Sequence, residues 1–206
     1  TGGSGYIGSI LTEMLLNNKF KVIVVDNFMY NQTSLNHLCA KKNLEIVNAD
    51  VRNLDVIRKY ISKCDLIIPL AAIVGAPACD RDPINSKLIN KNSILDLFKI
   101  VSKDQAIIMP TTNSAYGSGD KNNLCDEKSP LNPISSYAKD KVYIEDELMQ
   151  KENVISLRLA TVFGMSPRMR LDLLVNDFVF RAVFDKFIVL YESHFKRNYI
   201  HLSDVS

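Results

Sequence analysis

The strongest constraint on the fold is an alternation of short apolar runs with longer stretches that carry apolar residues at helical spacing. The runs are continuous and rich in β-branched residues, which is typical of strands buried on both faces of a sheet. They are residues 21–25, 44–47, 66–68, 106–109 and 154–159. Between them, residues 10–15, 84–101 and 137–151 have patterns that predict helices. Alternating strands and helices predict right-handed βαβ units and an α/β fold with a doubly wound parallel sheet.

Composition narrows the class of protein further. Of the 206 residues, 47% are hydrophobic and 23% are charged, and the formal net charge is +2. These values are typical of a folded globular chain and give no reason to expect a nucleic-acid partner. No apolar run reaches the roughly 18 residues that span a bilayer, so we expect no membrane partner.

The cysteines and histidines are scattered and do not indicate a metal site. The four cysteines form no CxxC pair, and the three histidines are equally dispersed. We interpret the cysteines as reduced thiols of a cytoplasmic protein. Spacing alone leaves a zinc site or a Ser-His-Asp triad open, although nothing favours either. These residues are Cys39, Cys64, Cys79, Cys125, His37, His194 and His201.

A glycine-rich segment, TGGSGYIG, opens the chain at residues 1–8. Glycines at this spacing permit a tight turn and a close approach of the backbone to a pyrophosphate, and the following helix offers unpaired N–H groups. Such a loop normally follows the central strand of a sheet. We therefore expect this chain to be a fragment that lacks its first strand. It also ends where a helix can begin, at Ser203.

Two acidic residues end predicted strands at positions suited to a dinucleotide. Asp26 follows Gly8 by about 20 residues, where a carboxylate can accept both ribose hydroxyls of NAD and would repel the 2′-phosphate of NADP. The alternative is a solvated Asp that begins a loop. Asp50 ends the next strand and could reach the adenine amino group, although a turn residue fits the spacing nearly as well.

A tyrosine and a lysine are spaced for acid–base chemistry. Tyr137 and Lys141 are four residues apart, so a helix would place both on one face. An ammonium beside a phenol favours the phenolate, which makes Tyr137 a candidate general base or acid for a hydroxyl group. A chance pair on a solvated helix face is the alternative. Residues 111–117 follow a predicted strand and could hold a substrate oxygen, or could form an ordinary turn.

Taken together, these motifs resemble the extended short-chain dehydrogenase/reductase family, in its NAD-dependent nucleotide-sugar epimerase/dehydratase branch. The resemblance extends over the whole chain. It is carried by TGGSGYIG at 1–8, VVDN at 24–27, NADV at 48–51, LAA at 70–72, YG at 116–117, YAKDK at 137–141 and RNYIH at 197–201. It implies a Rossmann-like fold and NAD as the cofactor.

The resemblance also implies a set of site residues. The cofactor-binding residues would be Gly2, Gly5, Tyr6, Ile7, Asp26, Asn27, Asp50, Val51, Leu70, Ala71, Ala72, Asn90, Tyr137 and Lys141. The catalytic residues would be Thr112, Tyr137 and Lys141. The substrate-binding residues would be Thr112, Asn113, Thr161 and Arg197, where a solvated charge is the alternative for Arg197. No metal site is implied.

Departures from the family pattern help to choose the reaction. The family's 4,6-dehydratases resemble Thr-Asp-Glu-Val-Tyr-Gly after this strand, whereas this chain has Asn113 and Ser114 in place of the acidic pair. Pro69 stands where many members have His, and Thr161 where many have Asn. We therefore expect epimerisation of a nucleotide-linked sugar through a transient keto-sugar. The alternatives are a dehydratase, a dehydrogenase/reductase, and a non-catalytic NAD-binding regulator.

The resemblance further implies how the chain is organised. We expect an NAD-binding domain over residues 1–160 and the truncated start of a substrate-binding region over residues 161–206. The partner would be a nucleotide-sugar substrate. A homodimer is also implied, with the helices near residues 85–101 and 137–151 packing across the two-fold axis.

Overall fold

The computed structural model describes residues 1–118, 124–191 and 193–206. Its contacts divide the chain into two units, each built from several segments. The first unit comprises residues 1–2, 25–27 and 46–158, and the second comprises residues 3–24, 28–45 and 159–206. The sequence predicts a domain boundary after residue 160. This boundary stays a prediction, because the second unit combines residues 159–206 with two earlier segments of the chain.

A parallel sheet forms the centre of the first unit. Strand β3 (Leu66–Ile67) pairs with β4 (Ala106–Pro110), which pairs in turn with β5 (Val154–Leu157). Ile107 lies opposite both Ile67 and Val154. Ile107 and Met109 are almost fully buried and lie on the same face of β4, since alternate residues of a strand share a face.

The first two residues lie between the end of one strand and the segment that follows another. Strands β1 (Val22–Asp26) and β2 (Leu44–Asn48) form a two-stranded sheet. The Gly2 N–H donates to the Val25 carbonyl at 2.8 Å, and the Thr1 carbonyl accepts from the Leu70 N–H at 3.0 Å. Residues 1–2 therefore lie between the end of β1 and the segment that follows β3.

The helices described in the first unit match the two predicted stretches, residues 84–101 and 137–151, and include two further helices that the sequence pattern did not predict. They are α2 (Leu54–Ile61), α3 (Ala76–Arg81), α4 (Pro83–Lys87), α5 (Ser93–Ile100) and α6 (Ser136–Leu148). The predicted helix over residues 84–101 is interrupted by a π-helical turn at Leu88–Asn92. Such turns inside α-helices often occur at functional sites.

The second unit contains a short parallel sheet and helices around a small core. Helix α1 (Tyr6–Asn17) follows the glycine-rich segment, and a 3₁₀ turn occupies Asn36–Leu38. Strands β6 (Thr161–Phe163) and β7 (Tyr199–His201) pair in parallel, and the remaining helices are α7 (Leu174–Phe184) and α8 (Leu202–Val205). The core consists of Leu16, Val24, Leu35 and Leu38.

The structure confirms all five predicted strands and the α/β fold class. Helix α8 begins at Leu202, next to the predicted start at Ser203. Residues 117–133 are rich in Gly, Asn, Asp, Ser and Pro, which favours a long loop, and residues 119–123 of this stretch lie outside the described part of the chain. Cys39, Cys64, Cys79 and Cys125 form no disulfide among the described residues. Among the described residues, no helix is long and apolar enough to cross a membrane.

Candidate active site

Helix α6 places the predicted acid–base pair on one face in the first unit. The Ser135 hydroxyl caps the helix by accepting from the Ala138 N–H at 3.2 Å, so the helix begins just before Tyr137. The Tyr137 ring is half-buried against a cluster that includes Ile73 and Ile89. The Lys141 ammonium nitrogen lies 5.8 Å from the centre of the Tyr137 ring. The structure therefore brings Tyr137 and Lys141 together, as the spacing predicted.

Lys141 is a buried cation. Only 5% of the residue is exposed, and burial lowers its pKa from 10.5 to about 8, because the charged form loses its hydration. A buried ammonium with this character is suited to a polar ligand, and a ribose hydroxyl would satisfy it.

Thr112 presents a hydroxyl group just after β4. It caps the 3₁₀ turn Asn113–Tyr116, and its Oγ1 accepts from the Ser114 N–H at 3.1 Å. Its own O–H therefore remains able to donate to a substrate oxygen. Asn113 is half-buried and Ser114 is exposed on the same turn. Their contact with a substrate stays a prediction.

A buried ion pair lies on the same helix face, and the sequence analysis missed it. Glu145 Oε1 accepts from Arg158 Nε at 2.8 Å and from Nη2 at 2.5 Å. Burial opposes ionisation of Glu145, but hydrogen bonds from Arg158, Ser156 and Thr111 outweigh it and hold the pKa of the carboxyl below its usual value. The signal was present in the sequence: Glu145 follows Lys141 by four residues, which places a charge on the buried face of α6.

A close approach near Gly2 leaves no room for a side chain. Gly2 has a φ of +70°, and a Cβ there would lie 2.5 Å from the Ala71 nitrogen. The chain segment at residues 70–72, predicted to line the cofactor, therefore lies against the glycine-rich segment. This cradle and the buried Lys141 ammonium both fit a bound dinucleotide.

A Gly2→Ala substitution is expected to lower the free energy of unfolding by about 2 kcal/mol, since it adds a backbone clash to the cost of a positive φ. Gly75→Ala is the matched control, because Gly75 has a φ of +93° and open space around its Cβ position. Urea unfolding of both variants separates the cost of the steric clash from the cost of the positive φ. Equal losses in the two variants would contradict a steric role for Gly2.

The predicted adenine-binding carboxylate is fixed by an arginine. Arg52 Nε donates to Asp50 Oδ1 and Nη2 donates to Oδ2, each at 2.8 Å. The Asn27 amide also donates to Asp50 Oδ2, at 3.3 Å. The hydrogen bonds from Arg52 are the main reason why the pKa of Asp50 falls to about 2. Asp50 is therefore ionised at neutral pH, as an acceptor for an adenine amino group should be. Contacts of Asp50, Asn27 and Val51 with a cofactor stay predictions.

Asp26 ends β1 and is buried.

In the second unit, Gly5 has extended backbone geometry and precedes the first residue of α1. The Tyr6 hydroxyl donates to the Gly164 carbonyl at 2.8 Å, so its side chain is anchored away from the first-turn N–H groups of Tyr6 and Ile7. These N–H groups are the ones that a phosphate would use.

Asn90 is held by hydrogen bonds to the backbone of a neighbouring segment. Asn90 is 1% exposed and lies in the π-helical turn. Its Oδ1 accepts from the Ile73 N–H at 2.8 Å, and its Nδ2 donates to the Ile73 carbonyl at 2.7 Å and to Ser86 Oγ at 3.2 Å. These bonds fix the backbone just after the 70–72 segment, and the predicted contact with the cofactor stays a prediction.

Two predicted substrate-binding residues lie in the second unit. Thr161 begins β6, and its N–H donates to the Asn198 carbonyl at 3.1 Å. Arg197 is exposed just before β7. Their roles stay predictions.

Comparison with known proteins shows which enzymes this chain is similar to in sequence. The chain is 26% identical over 204 residues to UDP-glucuronic acid decarboxylase 1 of Xenopus tropicalis, covering 94% of this chain and 47% of that protein. It is 28% identical over 156 residues to UDP-glucose 4-epimerase 2 of Oryza sativa subsp. japonica, covering 71% and 38%. It thus spans about half or less of the length of these curated relatives.

Solved structures agree on the fold. The dTDP-glucose 4,6-dehydratase of Bacillus anthracis, determined in complex with NAD, matches with a TM-score of 0.83 at 24% identity. The match covers 99% of this chain and 67% of that one. The fold is therefore a Rossmann-like parallel α/β fold, the class in which nucleotide cofactors bind beyond the carboxyl ends of the strands.

A family model narrows the class further. The model of the NAD dependent epimerase/dehydratase family matches residues 1–206. This chain belongs to that family, whose cofactor is NAD. The resemblance that the sequence motifs indicated is confirmed.

Proposed function

We propose that the protein epimerises a nucleotide-linked sugar, using NAD held by the residues described above. The observation that carries this proposal is the chemistry of the turn after β4, where Thr112, Asn113 and Ser114 offer hydroxyl and amide groups. Elimination or decarboxylation is served better by a carboxyl group beside the reacting carbons. The nearby Glu145 is committed to Arg158 and is buried.

The chain's own residues would divide the work as follows. Tyr137 takes the proton of a sugar hydroxyl and later returns it to the keto oxygen. Lys141 stabilises the phenolate by its positive charge and binds the ribose. Thr112 donates to the reacting oxygen and keeps it beside Tyr137. Bound NAD would supply reversible hydride transfer with the sugar carbon that carries this hydroxyl.

Remote contacts would hold the substrate while the keto-sugar turns over. A nucleotide diphosphate offers binding energy away from the reacting carbon, which can be used to orient the sugar. Arg197 is our candidate for binding the diphosphate. Asn113 and Thr161 are candidates for binding the sugar or the diphosphate. We propose a homodimer for the complete protein, which sedimentation equilibrium would check.

The test is product analysis with a panel of UDP- and dTDP-sugars in D₂O. Epimerisation leaves the mass unchanged and alters the ring-proton pattern, and no deuterium enters the ring because the hydride moves only between sugar and cofactor. Loss of 18 Da would instead show a dehydratase, loss of carbon dioxide a decarboxylase, and accumulation of NADH a dehydrogenase. Any of these three results would overturn the proposal.

A further inference from the structure

The Glu145–Arg158 ion pair binds residues that precede and follow Thr112 in the chain. Glu145 Oε2 accepts from the Thr111 hydroxyl at 3.0 Å, and Thr111 immediately precedes Thr112. Arg158 Nη1 donates to the Tyr116 hydroxyl at 3.1 Å, and its guanidinium lies 5.3 Å from the centre of the Tyr116 ring. Thr112 therefore lies on a short segment that is held at both ends.

The same ion pair is built into the catalytic helix. Tyr137, Lys141 and Glu145 are spaced by four residues on α6, so they share one face. Arg158 follows the end of β5, and Ser156 in that strand donates to Glu145 Oε2 at 3.0 Å. The pair thus connects the helix that carries Tyr137 with the segment that carries Thr112.

Burial makes this connection stiff. The Glu145 side chain is 9% exposed and the Arg158 side chain 18% exposed. Taking two charges out of water is costly, and it is tolerated where the pair and its remaining hydrogen-bonding capacity are satisfied. Here both carboxylate oxygens are occupied, by four donor atoms in all. Rupture of one contact would leave a buried charge without its partner.

We infer that Glu145 and Arg158 are positioning residues that set the distance between the Thr112 and Tyr137 hydroxyl groups. The inference rests on the proposed function, because it assigns the ion pair to the acid–base step. Neither residue touches the substrate or the cofactor in this role. Loss of the pair should therefore reduce turnover and leave binding of both ligands nearly unchanged.

Two mild substitutions test this without removing a buried charge. Thr111→Val deletes the hydroxyl that donates to Glu145, and Tyr116→Phe deletes the one that accepts from Arg158. In the full chain, we expect kcat to fall about tenfold in each, with the KM for the nucleotide sugar and the Kd for NAD within about twofold of wild type. Glu145→Gln should lower kcat by about 10²-fold.

Matched controls separate positioning from stability. Asp146→Asn changes an exposed carboxylate on the adjacent residue and should leave kcat unchanged. Leu148→Ala opens a cavity on the buried face of α6 and should destabilise the chain at least as much as Glu145→Gln. It should keep near wild-type kcat at temperatures where circular dichroism shows a folded chain. An equal loss of kcat in Leu148→Ala and Glu145→Gln would overturn the inference.

Amide hydrogen exchange gives a readout that does not need turnover. The Ala115 N–H donates to the Thr112 carbonyl at 3.2 Å, so its protection reports the turn itself. Glu145→Gln should speed exchange in residues 111–118 about tenfold while α1 keeps its rates. Unchanged exchange would overturn the inference. A wild-type chain that binds NAD but converts no sugar would contradict only the proposed function.

Discussion

Tyr137→Phe is expected to lower kcat by about 10³-fold while leaving the fold and NAD binding intact. The substitution removes only the phenolic oxygen. The ring that packs against Ile73, Cys79 and Ile89 is retained, so the buried cluster should persist. Steady-state kinetics with the sugar nucleotide and a separate NAD titration measure the two effects.

Tyr143→Phe is the matched control, since it makes the same chemical change on the same helix. Tyr143 follows Tyr137 by six residues, so α6 turns it to a different face, where it is 44% exposed. Its kcat should match that of wild type. Retention of more than about a tenth of the activity in Tyr137→Phe would contradict the role of Tyr137 as the acid–base group.

The same variant distinguishes the enzyme from a non-catalytic regulator. A regulator on this fold would bind NAD and keep its biological function after Tyr137→Phe. The Tyr137–Lys141 pair on one face of α6 favours the enzyme, because a regulator that only binds NAD has no use for an acid–base phenol.

The strands and the Tyr–Lys pair could be predicted because both follow from local patterns. Continuous β-branched runs match β1 to β5, and a spacing of four residues gives one helix face whatever the tertiary structure. The π-helical turn at Leu88–Asn92 could not be predicted. It depends on the Asn90 amide bonding to the Ile73 backbone, a contact between residues 17 apart in sequence.

The spacing of Glu145 from Lys141 indicated a charge on the buried face of α6, but the partners of the charged side chains could not be predicted from local patterns. Glu145 and Arg158 are ordinary surface residue types, and their burial depends on α6 packing beside β5. Arg52 was not singled out by the sequence, yet it binds both carboxylate oxygens of Asp50 through its Nε and Nη2 atoms. Periodicity reports which face of an element is apolar, but it does not report which polar groups meet across elements.

Lys141→Met is expected to stabilise the chain at neutral pH while it abolishes activity. Folding shifts the pKa of Lys141 from 10.5 to about 8, which corresponds to about 3 kcal/mol of lost stability when the lysine is charged. Methionine has a similar shape and no charge to desolvate. We expect the unfolding free energy at pH 7 to rise by about 1–3 kcal/mol, and kcat to fall by at least about 10²-fold.

The lowered pKa of Lys141 also determines how the stability difference between wild type and Lys141→Met changes with pH. Between pH 8 and 10.5 the unfolded chain binds the Lys141 proton and the folded chain has released it, so wild-type stability rises with pH in that window. The advantage of Lys141→Met should therefore be full below pH 8 and shrink as the pH approaches 10. Lys139→Met, on the exposed side of the same helix, should show no such dependence.

Thermal unfolding from pH 6 to 10 measures both variants. A lower melting temperature for Lys141→Met at pH 7, or a gain that does not shrink with rising pH, would contradict a desolvated ammonium at this position. If Lys141→Met is more stable than wild type and has lost turnover, the Lys141 charge lowers the stability of the fold and supports catalysis. A ligand that satisfies the ammonium should then reduce the difference, so saturation with NAD is expected to bring the two melting temperatures closer.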